Sequence, residues 1–350
     1  MRSISTIHDF FMRAGAELNL YHTGRRVAPC PISTLEAFEN QQLAWPMPWQ
    51  GQARLACVFT LGDMPDPIIW FLALPLDEQG YLTPAPRDAF LQRLLETLGH
   101  TVEALQSSNA TAKDMNQADN LMKDNPLAFT PSLHHRAMLH AQASRDLERS
   151  ASEHLELVES YLLDGDLQHW QALGLQGLAD FVARLDTAQA TQLAARLPAL
   201  PIAVLHPLCY CLEQRVLIEV LTEALRRRGE QAAREGDLET LCACIRSVGA
   251  SPQDSVSRWY TELLEDANVC GPDVLAALAA RGWEHLEDAT RLPRFLERAA
   301  ADERVDFTAL VRDLAAIPRL RLPILMLLRE APPASDIKHR LFESCAKDTL

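Results

Sequence analysis

Two adjacent arginines, Gly24-Arg25-Arg26, are the first residues of this chain with chemistry to offer. Guanidinium groups beside a turn can clamp a carboxylate or phosphate through paired N–H bonds. Neighbours on a strand face opposite ways, so at most one of the two serves a given pocket. The plainer expectation is a pair of surface arginines bonded to acids of the same chain. The second cluster is Trp45-Pro-Met-Pro-Trp49. Two indoles on a proline-braced segment suit a peptide groove or a peptide ligand. They suit equally a loop whose indoles cover their own sheet. Arg25, Arg26, Trp45 and Trp49 are the expected ligand or partner contacts.

Other combinations lead away from catalysis. His134, His135 and His140 share an expected helix, but their spacing misses the i, i+4 geometry that two metal ligands on one helix prefer. Cys209-Leu-Cys211 and Cys242-Ala-Cys244 lack the C-x₂₋₄-C spacing of structural zinc sites. Residues two apart on a helix point about 200° apart, so core packing is expected of these thiols. No G-x-S-x-G, G-x-x-x-x-G-K-[ST] or H-E-x-x-H occurs. Asp77, Glu78 and His135 combine carboxylates with imidazole, but nothing in their spacing selects them. No catalytic residue, metal ligand or cofactor site is therefore expected.

The elements that must carry these residues fall into two kinds. From about Leu155 onward the chain reads as short amphipathic helices stopped by Pro, Gly or a capping Asp. Leu178, Phe181, Val182 and Leu185 recur at helical spacing. So do Leu217, Val220, Leu221, Ala224 and Leu225, then Val256, Trp259, Tyr260, Leu263, Leu264 and Ala267. Phe307, Leu310, Val311 and Leu314 follow, with Asp306 as the expected N-cap. Ahead of this region, Ile7, Phe10, Phe11 and Ala14 predict a helix stopped by Gly15. Ser33 and Glu36 predict a capping box. Arg54–Leu61 and Ile68–Leu74 predict an antiparallel hairpin around Gly62-Asp-Met-Pro-Asp-Pro67. Phe90, Leu91, Leu94, Leu95 and Leu98 predict a helix opened by Pro86 and ended by Gly99. The stretch from Ser107 to about Asn125 is polar and without period, so it reads as a linker.

The expected fold is mainly α: a small α+β N-terminal domain over 1–105, a polar linker over 106–130, and a C-terminal multi-helix array over 131–350. Tetratricopeptide and ankyrin signatures are absent, which leaves degenerate HEAT-like helix pairs in an α-solenoid, with a compact irregular helical domain as the alternative. The net charge of −14 opposes binding to nucleic acid or anionic lipid. No segment approaches the roughly 20 apolar residues of a membrane span, and no secretory leader is evident. A cytoplasmic protein is expected. Lysine occurs only at Lys113, Lys123, Lys338 and Lys347; every other basic residue is arginine. Arginine suits bidentate contacts between helices, and codon usage would produce the same skew.

Gly24-Arg-Arg-Val27, Trp70-Phe-Leu72, Leu76-Asp-Glu-Gln-Gly80, Gly174-Leu-Gln-Gly177 and Ile317-Pro-Arg-Leu320, in this order and spacing, resemble one family. It is the domain-of-unknown-function family 3549 of Gram-negative bacteria, and the resemblance covers nearly the whole chain. It implies a bacterial cytosolic protein and brings no activity or catalytic residue.

The expected function is a non-enzymatic scaffold or adaptor whose helical array binds an as yet unidentified protein partner. One alternative is a regulatory protein binding a small anion near Arg25 or Arg26. Another is an enzyme with a site between the domains. The sequence leaves the oligomeric state open.

Overall fold

The computed structural model describes residues 4–62, 64–98, 122, 125–164 and 170–347. They fall into two units, Met1–Ser132 with Ala316–Pro318 and Leu133–Ala315 with Arg319–Leu350.

The first unit is built on alternation. Its elements are α1 (Ile7–Arg13), β1 (Glu17–His22), β2 (Ala28–Cys30), α2 (Ile32–Glu39), β3 (Gln52–Thr60), β4 (Ile68–Pro75) and α3 (Pro84–Leu98). The strands form one antiparallel sheet in the order β2-β1-β3-β4, with Leu20 opposite Cys57 and Cys57 opposite Trp70. Leu55, Cys57, Phe59, Trp70 and Leu72 of the hairpin share a core with Ile7, Phe10 and Phe11 of α1, Phe38 of α2 and Phe90 of α3. Rings set its spacing: Phe11–Phe59 and Phe59–Trp70 centroids lie 4.8 and 4.9 Å apart. The buried Glu39 carboxylate accepts the Ile7 and His8 N–H groups at 2.7 and 2.8 Å and pairs with Arg87 at 3.2 Å. One side chain thus serves the amino end of α1 and ties it to α2 and α3.

Three local readings are corrected. The short strand β2 was not expected, because three residues containing Pro29 carry no periodic signal; proline is tolerated there because the strand is an edge. Helix α2 starts at Ile32 with Pro31 as its cap and no side-chain capping bond. Pro31 already sets the extended approach that a cap supplies, so Ser33 lies inside the first turn. Leu127 to Phe129, read as the end of the linker, bond to β4 instead: Ala73 N donates to Leu127 O at 2.7 Å and Phe129 N to Phe71 O at 3.3 Å. The open edge of β4 and the apolar side chains of this segment account for that pairing. Most of the expected linker lies outside the described residues.

His22 is buried edge-on against Trp45, with ring centroids 4.9 Å apart. Burial lowers its pKa from 6.5 to about 4. The folded state therefore holds the neutral ring. Its contribution is complete above pH 6.5 and is lost as pH falls toward 4, on the order of 3 kcal/mol in all. Urea unfolding followed by tryptophan fluorescence at stepped pH checks this. A His22→Phe variant is expected to show a shallower acid fall than the parent chain over that window.

The second unit follows the 3.6-residue period. Its helices are α4 (Leu133–Asp146), α5 (Leu155–Glu159), α6 (Leu175–Arg184), α7 (Thr187–Arg196), α8 (Ile202–Leu212), α9 (Glu219–Glu235), α10 (Leu238–Val248), α11 (Asp254–Glu265), α12 (Pro272–Arg281), α13 (Arg291–Ala301), α14 (Phe307–Ala315), α15 (Pro318–Glu330) and α16 (Asp336–Lys347). They stack in two rows. Helices α4, α6, α8, α10, α12 and α14 pack in succession, and α7, α9, α11 and α13 run alongside. Bonds between successive pairs recur at nearly constant separation: His206 to Thr240, Leu217 to Ser251, Gln253 to Leu217, and Arg298 to Leu264 are 34, 34, 36 and 34 residues apart. The C-terminal unit is a helical array.

The arginine skew has a use here. Arg145 donates to Ala183 O at 2.8 Å, Arg215 to Val182 O, and Arg298 to Leu264 O and Glu265 O at 2.8 Å each. These carbonyls close α6 and α11, where unpaired acceptors and the negative end of the dipole favour a fork of donors. Arg319, at the unfavourable end of α15, pairs with Glu287 at 3.4 Å. The stripes of α6, α11 and α14 are buried as read, apart from the half-covered Leu310 and the exposed Ala267, which lies past the end of α11 at Glu265. Val220 is corrected: the buried face of α9 runs through Leu221, Leu225 and Ala232, and Val220 turns outward.

Candidate functional site

Helices α8, α10 and α12 present matching faces. Residues four apart share a face, so Ile202, His206 and Tyr210 line one side of α8. Leu238, Cys242 and Arg246 line the same side of α10, 36 residues on. Pro272, Ala276 and Ala280 continue the stripe on α12. His206 fixes the register of the first two helices, with Nε2 2.8 Å from Thr240 Oγ1 and Nδ1 3.4 Å from Glu239. The amino-terminal end of this ladder is open: Ile202 is 48 % exposed and Leu238 43 %.

Its carboxyl-terminal end is tied by charge. Glu213, just past α8 and 2 % exposed, receives Arg246 Nε at 2.8 Å and Arg246 Nη2 at 3.2 Å. Arg281 Nε lies 2.8 Å from its other side, and Gln214 Nε2 donates to Oε1 at 3.0 Å. One carboxylate thus joins the ends of α8, α10 and α12. Burial pushes the Glu213 carboxyl up, but the Arg281 and Arg246 guanidiniums outweigh burial and hold it below the usual carboxylate range. Arg246 also lies over the Tyr210 ring, 5.1 Å from its centroid. His134 of α4 meets the same ring edge-on at 5.3 Å. Burial lowers His134 and takes the neighbouring His135 down to about 4.

This chemistry is structural. Both oxygens of Glu213 are engaged by donors, so it stays ionised and is a poor general base. His135 holds a neutral ring at pH 7. The half-exposed Arg246 is the group through which the cluster reaches the surface. Among the described residues no group of three or more His, Cys, Asp or Glu side chains is placed to hold a metal ion. Cys209, Cys211 and Cys244 are buried in the helix core, with Cys242 half-covered.

The residues singled out from sequence lie elsewhere. Arg25 is fully buried; its Nε donates to Pro48 O at 2.8 Å and its guanidinium sits over Trp49 at 5.3 Å. Gly24 admits this packing, because a Cβ there would stand 3.0 Å from Trp49 Cβ. Arg26 and Trp45 are buried, and Trp49 is half-buried. Arg25 and Trp49 are brought together, and Trp45 packs instead with Phe38 and His22. Asp77 Oδ1 accepts Gln79 N and Tyr81 N in its own turn. The Glu213 cluster went unread because its partners stand 33 and 35 residues apart along Glu213, Arg246 and Arg281. A visible signal was arginine in a last helical turn shortly before glycine, at Arg246…Gly249 and Arg281-Gly282.

A family model described as a protein of unknown function, DUF3549, matches residues 2–341. No curated protein and no solved structure matches the chain. With the match running through both units, the chain belongs to the DUF3549 family.

Proposed function

We propose that this chain is a non-enzymatic interaction protein whose helical unit binds a protein partner along the α8–α10–α12 ladder. The observation that supports it is the packing of Arg246 over the Tyr210 ring across adjacent helices, with Ile202 and Leu238 exposed at the amino-terminal ends of the same two helices. Exposed aliphatic side chains beside a tyrosine and an anchored arginine form the composition of an interface centre. Arg246 is held in place by Glu213, so little ordering cost remains on binding. The helix pairs are degenerate HEAT-like repeats in this reading. A cytoplasmic location fits the free thiols among the described residues, at Cys30, Cys57, Cys209, Cys211, Cys242, Cys244 and Cys270. No described helix is long and apolar enough to cross a membrane. Anion binding at Arg25 is disfavoured, because that guanidinium is enclosed and its Nε serves the backbone.

The test is affinity capture from the source cell with the full chain and with an Ile202→Asp/Leu238→Asp double variant. Both side chains are nearly half exposed, so the variant is expected to fold. A protein retained in stoichiometric amount by the parent chain and reduced at least about tenfold by the variant supports the proposal. The same proteins retained equally by both, or none by either, contradict it.

A further inference from the structure

Arg54 of β3 is a half-buried guanidinium without an acid. Its Nε donates to Gln52 Oε1 at 3.0 Å and its Nη2 to Gln50 Oε1 at 3.3 Å, and its Cζ lies 5.1 Å from the Phe129 ring centroid. Among the described residues no carboxylate meets it and Nη1 makes no bond. Two neutral amides and a ring fix the plane of the guanidinium without cancelling its charge. Burial lowers its pKa, and no acid offsets this. Arg87 and Arg246, by contrast, each close on a buried glutamate. The loop that supplies the amides is strained: Gln50 stands in the left-handed region at φ 50°, and Gly51 follows at 71°. Such conformations cost energy and collect at ligand sites. A second unsatisfied group stands beside Arg54. His22 lies opposite Leu55, and one step on Thr23 N donates to Arg54 O at 3.0 Å. Opposed residues share a face of the sheet, with Cβ atoms about 5 Å apart. This is the face turned away from Leu55 and the aromatic core. Thr23 is 3 % exposed, and its Oγ1 has no hydrogen-bond partner among the described residues. A buried hydroxyl left unpaired is costly and calls for a partner.

We infer that Arg54 and Thr23 bind a small carboxylate, with Arg54 Nη1 and Thr23 Oγ1 donating to its oxygens. The charge count selects the ligand. One uncompensated cation and one neutral donor match a single negative charge. A phosphate dianion would leave one charge unmatched in a chain already at −14. The net charge does not bar a small monoanion, because charges beyond about 8 Å are screened at physiological salt. What decides is the immediate surroundings, and there Arg54 meets amides and a ring. A cation would be repelled by the guanidinium, and an apolar ligand would leave both donors unpaired. The site differs from Arg25, whose Nε is taken by Pro48 O. It lies on β1 and β3, apart from the α8–α10–α12 ladder, so it stands or falls on its own.

The experiment is saturation-transfer NMR on the methyl resonance of acetate, titrated into the full chain at constant ionic strength set with chloride. The expected result is saturable transfer to acetate. Its affinity falls at least about tenfold in Arg54→Gln, which keeps a polar side chain and loses the charge. Arg54→Lys keeps the charge and loses the fork, so its affinity lies between the two. Thr23→Val keeps the shape and loses the hydroxyl, and it weakens acetate about threefold or more. Thr23→Val is also expected to match or exceed the parent chain in urea stability, since it removes an unpaired buried group. That result separates lost binding from lost folding. Binding is unchanged in Ile202→Asp/Leu238→Asp, which sets this site apart from the ladder. Absent or unsaturable transfer, equal affinity in the parent and Arg54→Gln, or equal affinity in the parent and Thr23→Val would each overturn the inference. So would displacement of acetate by inorganic phosphate at lower concentration than by propionate.

Discussion

Replacing Glu213 with alanine is expected to destabilise the helical unit by about 3–5 kcal/mol. The carboxylate is buried, and two guanidiniums are aimed at it from different helices. Removing it leaves Arg281 as a buried cation with its partner gone and frees Arg246 to leave the Tyr210 ring. Glu213→Gln keeps the shape and loses the charge, so it is expected to recover only part of the loss. The measurement is urea denaturation of the full chain by circular dichroism, with the helical transition moving to lower urea. Acid is expected to act in the same sense. The folded carboxyl sits below its ordinary pKa, so its contribution is present above the usual carboxylate range and is lost as pH falls below it. A loss under about 1 kcal/mol in Glu213→Ala, typical of exposed ion pairs, would mean that the cluster does not hold these helices together.

The second large effect is at Gly249, where alanine is expected to cost about 2–3 kcal/mol. An alanine at the end of a helix is ordinarily tolerated, and the backbone of Gly249 is in the right-handed region with φ −61°. Space decides the sign. A Cβ would stand 2.4 Å from the Arg281 carbonyl oxygen and 2.6 Å from its carbon. These are backbone atoms, so no rotamer can relieve the clash and α10 and α12 must separate. That separation also strains the Arg281 contact with Glu213, so the two sites are expected to couple in a double-mutant cycle. Gly174→Ala is the control, because its nearest neighbour would be His154 at 3.7 Å. Equal melting temperatures for Gly249→Ala and Gly174→Ala would contradict the account of close helix approach.

Both effects concern contacts that cross from one helix pair to the next, and this marks the limit of what local pattern reveals. Val256, Trp259, Tyr260, Leu263 and Leu264 could be read because one helix buries one stripe. Asp306 could be read as a cap because its acceptor lies three residues ahead, and Ala309 N donates to it at 3.0 Å. Gly177 in α6 marks a close approach of backbone, since a Cβ there would meet His154 O at 2.6 Å. Val220 was misread because spacing alone does not say where a helix begins, and a start at Glu219 sets which side is buried. The Pro31 cap was missed because proline does without the side-chain bond that the motif seeks. At the candidate site, Tyr210 and Arg246 are unremarkable in their own helices. They meet because the array offsets α10 from α8 by 36 residues, a property of the stack that no single segment encodes.

The most direct test of the interaction reading is site-specific photo-crosslinking in the source cell, with a benzophenone side chain at Leu238 and, as a control, at Glu284, which is exposed outside the ladder. One discrete cross-linked protein is expected at position 238, lost in the Ile202→Asp background and absent at position 284. Identical products at both positions, or none at 238, would contradict a partner on the α8–α10–α12 face.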